Sequence, residues 1–96
     1  MKRRKGMDEL LRCIEEYLTG KLSAEQFSYD FPAIYRFQIY EGSIDEQYID
    51  AFDDISEACG WYEPDPLQRK DCNDYIDEEA LRSIVADKYQ ALKRST

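Results

Sequence analysis

Met7, Leu10, Leu11, Ile14, Tyr17 and Leu18 fall on one side of a helix wound at roughly 100° per residue, and on both faces of a strand. Three further segments repeat this spacing. Nowhere do apolar and polar residues alternate over a strand's length. The sequence therefore predicts an all-α domain, and four amphipathic segments predict an antiparallel four-helix bundle. With 96 residues, 43% of them hydrophobic, the chain has enough apolar mass for one modest core and too much for a disordered segment.

Local signals set the expected boundaries. Gly20 ends the first helix, since glycine readily takes the left-handed conformation there. Ser23-Ala24-Glu25-Gln26 matches a capping box, opening a second helix that carries Phe27, Phe31, Ile34 and Tyr35. Pro32 predicts a kinked or broken second helix, with Asp30 capping the second piece. Ser43-Ile44-Asp45-Glu46 is another capping box, and the third helix is expected to run to Cys59, before Gly60. Residues 61–76, with Pro64 and Pro66, predict a long loop before the last helix. That helix has Asp77 as N-cap, Glu78 and Glu79 in its first turn, and Ile76 and Leu81 as a hydrophobic staple. Leu81, Ile84, Val85, Tyr89 and Leu92 make its apolar face. Residues 7–96 are expected to form one helical domain, with residues 1–6 a disordered basic leader and Met7 a candidate natural start.

Acidity is confined to one segment. Residues 41–79 hold fourteen acidic side chains and two basic ones, a balance of −12, in a chain whose net charge is −8. No Lys or Arg lies between Arg36 and Arg69. On a helical wheel Ile44, Tyr48, Ala51, Phe52, Ile55 and Cys59 share one side; Glu46, Asp50, Asp53 and Glu57 take the other, with Asp54 beside them. A solvated face is the ordinary explanation of such a pattern. Solvated faces, however, interleave Glu with Lys at i, i+4, each pair adding roughly 0.2–0.5 kcal/mol and each like-charged pair costing as much. Aspartate is also a mediocre helix former. A ridge that lowers stability is expected to bind something cationic.

Beyond the ridge, Trp61 and Tyr62 lead into Glu63-Pro64-Asp65, where proline stiffens a backbone that sets two carboxylates beside two rings. Rings beside fixed charges are common at protein interfaces, although at least one of these two is expected to serve as core. The candidate partner-binding residues are therefore Glu46, Asp50, Asp53, Asp54, Glu57, Trp61, Tyr62, Glu63 and Asp65.

Other chemistry finds little support. Without histidine the chain lacks the commonest general base and metal ligand, and it has neither a P-loop nor a G-x-G-x-x-G turn. Asp71 to Asp77 fails as a calcium loop, because Tyr75 and Ile76 stand where a ligand and the turn glycine belong. Cys13, Cys59 and Cys72 form no C-x-x-C; the first two fall at apolar helical positions, as small core residues do. No enzyme activity, catalytic residue, metal or cofactor is expected. Net negative charge opposes direct contact with nucleic acid or anionic lipid, and no run of eighteen apolar residues exists, so a cytoplasmic location is expected.

Glu25-Gln26-Phe27 at the second helix, Tyr62-Glu63-Pro64-Asp65 after the third, and Leu81-Arg82-Ser83-Ile84-Val85 in the last follow a short first helix in order and spacing. Over residues 7–93 the chain thereby resembles the colicin D immunity protein family. The resemblance implies a four-helix bundle that blocks a basic, tRNA-cleaving toxin domain of bacteriocin or contact-dependent type. Carboxylates then occupy the place of the tRNA backbone over the catalytic histidine's cleft, with Glu63 and Asp65 as central contacts. Gly60 stands where the family tends to carry a carboxylate, so that Glu57 substitutes for it or the partner differs; Pro32 is a second departure. Physical reasoning runs parallel, since a nuclease that grips phosphates presents Lys and Arg, to which a rigid row of carboxylates is complementary. A monomer forming a 1:1 complex with the cognate ribonuclease toxin domain is expected. The alternative is a small acidic adaptor or regulator that binds a basic protein unrelated to RNA cleavage.

Overall fold

The computed structural model describes residues 5–95. Helix α1 (Lys5–Leu18) buries Met7, Leu10, Leu11, Ile14 and Tyr17, with Leu18 packed at the edge of the core. It starts two residues before Met7. A Cβ at Gly6 would lie 2.6 Å from Gln38 Oε1 and 2.9 Å from Ser43 Cβ, so the close approach there requires glycine. Residues 1–4, the rest of the expected leader, lie outside the described residues. Gly20 takes φ +84°, and the amides of Gly20 and Lys21 donate back to the carbonyls of Tyr17 and Glu16, a Schellman turn.

Helix α2 (Ala24–Tyr40) starts where its capping box predicts, Ser23 Oγ accepting from the Gln26 amide at 3.0 Å. The reciprocal bond is replaced: the Gln26 side chain donates to Asp30 Oδ1 at 2.8 Å. Asp30 is thus no cap, and the expected break is absent, because one helix runs through Pro32. Phe27 and Phe31 before the proline, and Tyr35 and Gln38 after it, are all buried. Packing on both sides outweighs the roughly 3 kcal/mol that an interior proline costs.

A second Schellman turn ends α2. Gly42 takes φ +68°, its amide donates to the Ile39 carbonyl, and the Ser43 amide donates to that of Gln38. Ser43 is thereby used in closing α2 and is not the N-cap predicted for the next helix. Helix α3 (Glu46–Trp61) has Asp45 at its N-cap, without a side-chain capping bond. It also passes the expected stop, running through Gly60 to Trp61.

The predicted long loop contains a one-turn helix, α4 (Pro66–Arg69). Helix α5 (Glu78–Ser95) begins as expected, with Asp77 Oδ1 accepting from the Ala80 amide at 2.9 Å. Leu81, Val85 and Leu92 are buried, and Ile76, Ile84 and Tyr89 pack around them.

The described residues are thus all-helical but for one isolated bridge in the loop. α1 packs on α2, α2 on α3, α3 on α5, and α5 returns to α1. Rings run through the interior: Tyr17 stacks on Phe27 at 4.5 Å, Phe27 meets Phe31 at 5.4 Å, and Phe31 meets Phe52 at 6.1 Å. Arg82 of α5 lies 4.9 Å from the centre of the Tyr17 ring and donates to the carbonyls of Leu18 and Tyr17. A cation is favoured at that end of α1 by the helix dipole. Cys13 and Cys59 are buried, and burial is the main cause that pushes each thiol up to about 12. Among the described residues no helix is long and apolar enough to cross a membrane.

Candidate functional site

Burial of Tyr48, Phe52, Ile55 and Cys59 fixes the roll of α3, and the carboxylates follow from it. Glu46, Asp50, Asp53, Asp54 and Glu57 are all exposed. From Glu46 to Glu57 the row extends about 16 Å at 1.5 Å per residue. It is less uniform than its sequence predicts. Asp54 is paired with Lys88 of α5, Nζ to Oδ2 at 2.8 Å, and Asp53 Oδ1 accepts from the Tyr35 hydroxyl of α2 at 2.5 Å. Burial, and then the bond to Asp53 and the charge of that carboxylate, push the Tyr35 phenol up. Among the described residues no cation pairs with Glu46, Asp50 or Glu57. Those three are the row's free charges.

The loop residues stand differently. Tyr62 and Ile76 form a parallel bridge, Glu63 N–H donating to the Ile76 carbonyl and Ile76 N–H to the Trp61 carbonyl, each at 2.9 Å. Within the loop so closed, Glu63 Oε2 accepts from the Asp65 amide at 3.1 Å, and Asp65 Oδ1 caps α4 by accepting from Leu67 N–H at 2.9 Å. Arg69 turns back and donates to the Glu63 carbonyl at 2.7 Å. Both carboxylates therefore hold the loop's own backbone, and the Arg69 guanidinium holds the Glu63 carbonyl. The loop is preorganised, with one oxygen of each carboxylate already engaged. Trp61 is 38% exposed, with its ring 6.1 Å from that of Tyr75; Tyr62 is half-buried against the core. Of the two rings, Tyr62 is the one that serves as core.

Two features escaped the sequence reading. Lys88 is 34 positions from Asp54, beyond the reach of helical spacing. Beside Asp53, a groove of about 470 Å³ opens between α2 and α3, lined by Pro32, Tyr35, Arg36, Ile39, Ile49 and Ser56. Elsewhere on α2, Tyr29, Phe37 and Tyr40 lie off the apolar face, and all three are exposed. Among the described residues no three carboxylates or thiols converge to hold a metal ion. The arrangement offers anionic contact and apolar grip. No protein-family model matches the chain, and neither a curated protein nor a solved structure is similar to it.

Proposed function

We propose that this chain is an immunity-type inhibitor, an antiparallel bundle of four long helices that binds a basic ribonuclease toxin domain in the cytoplasm. Its α3 carboxylate row stands in for the RNA backbone. The observation that carries this reading is the row itself, in which Glu46, Asp50 and Glu57 are exposed and unpaired on a helix fixed by a buried aromatic interior. Rigid anions complementary to a phosphate-binding cleft steer association, which reaches about 10⁸–10⁹ M⁻¹s⁻¹ at low salt. Such speed suits capture of a toxin before it cuts. Glu63 and Asp65 contribute from the loop, each keeping its second oxygen for a partner, and Trp61 adds an exposed ring.

The test is inhibition. Mixed at equal concentration with the ribonuclease domain encoded beside it, the protein is expected to stop tRNA cleavage, and binding is expected to weaken as salt rises. Cleavage that proceeds unchecked ends the proposal. Tight binding of a different basic protein then favours the adaptor reading.

A further inference from the structure

The outer face of α2 is a surface that the inhibitor reading leaves unused. Tyr29, Phe37 and Tyr40 are 71%, 58% and 87% exposed, and exposed Ala33 lies among them at helical spacing. With an aromatic side chain covering about 150–250 Å², these three rings leave roughly 400 Å² in water. The largest apolar patch on a typical monomer is about 300–600 Å² and is often functional.

We propose that this face joins two copies of the chain, α2 against α2, about a two-fold axis near Ala33. Such an axis requires a patch complementary to itself. With Ala33 at the centre, Tyr29 of one copy stands opposite Phe37 of the other, each four residues from the axis. The small Ala33 side chains let the helices come close. The stripe also stands between two depressions, one of about 290 Å³ lined by Glu9, Ala33, Ile34, Phe37 and Gln38, the other the groove beside Pro32 and Ile39. A ridge flanked by grooves meets its own image with side chains interleaved.

Charge selects the occupant. α2 carries Glu25, Asp30 and Arg36, a balance of −1, whereas α3 carries five carboxylates and no cation. A basic partner is drawn to α3. A second copy, with net charge −8, is repelled there and meets less repulsion at α2 than at α3. Area agrees as well: a standard interface buries about 800 Å² per partner, of which the three rings supply about half and exposed Glu25, Gln26, Ala33 and Arg36 the remainder. The dimer leaves the α3 row and the loop open, so it stands whether or not the partner is a ribonuclease.

Sedimentation equilibrium of the full chain at micromolar concentration tests this. The expected mass is twice the 11.4 kDa of one chain. Ala33→Glu and, separately, Phe37→Ser are expected to raise the dissociation constant roughly tenfold or more, with the helical circular dichroism unchanged. Tyr29→Ser is a further variant on the same stripe, while Glu57→Lys is expected to leave the dimer intact. Added salt is expected to preserve or tighten it, because screening relieves the repulsion between acidic copies. A chain that stays monomeric, a dimer that survives the stripe variants, or one that salt dissociates overturns the proposal.

Discussion

Helices α2 and α3 share one interior and differ outside it. Phe31 and Tyr35 of the first meet Phe52 of the second at 6.1 and 5.9 Å. Outward, α2 shows rings around a single arginine, and α3 shows carboxylates. Folding needs only the shared side. The outer faces are therefore where these two helices were free to diverge, and their divergence assigns them different contacts.

The comparison can be broken first at the shared interior. Phe31→Ala and Phe52→Ala are each expected to cost about 3–5 kcal/mol in urea unfolding, and together less than their sum, since the rings touch. A loss under about 1 kcal/mol from either removes the common core. Next come the outer faces. Asp50→Lys with Glu57→Lys is expected to weaken binding of the ribonuclease domain roughly 100-fold, about 3 kcal/mol at 1.4 per decade, while leaving self-association unchanged. These two positions are preferable to Glu63 and Asp65, whose replacement also unties the loop. An equal loss of both contacts would merge the two faces into one.

Tyr35 is the seam between the faces, and its proton sharpens the contrast further. Its phenol titrates above the ordinary value of 10 in the folded chain, first through burial and then through Asp53. The folded state therefore holds that proton longer than the unfolded one, so the stability it contributes is present below pH 10 and falls as pH rises beyond it. Tyr35→Phe is expected to cost about 1–2 kcal/mol at neutral pH and to make the alkaline decline shallower, read by thermal melts from pH 8 to 11. The smallest effect belongs to Gly60, where an added Cβ meets nothing within 4 Å. Gly60→Ala is expected to raise stability by about 0.5–1 kcal/mol, confirming that the acidic helix continues into Trp61.

How much of this was legible depended on how local each signal was. The α1 stripe, the Ser23 and Asp77 caps and the buried side of α3 are set by neighbours within a turn or two, and sequence spacing finds them. The start of α3 was misread because Gly42 and Ser43 carry competing local signals, and the Schellman turn prevailed over the capping box. At Pro32, of the two expected outcomes the break is absent for a different reason: intrinsic preference argues for it, while Phe31 and Tyr35 are anchored in one interior from both sides. The α4 turn was written in Asp65-Pro66, an N-cap followed by a proline at the first helical position, but it was hidden inside a loop assignment. As for the candidate site, exposure of the row followed from periodicity. Its partial neutralisation by Lys88, and the use of Glu63 and Asp65 by their own loop, depend on tertiary contacts that spacing does not encode.

Arg82 gives the molecule an order in time. The carbonyls that close α1 receive their cation from a residue 64 positions later, on the final helix. A ribosome making this chain releases the first helix long before the side chain that finishes it, so the amino-terminal half waits, incomplete, for the carboxyl-terminal one.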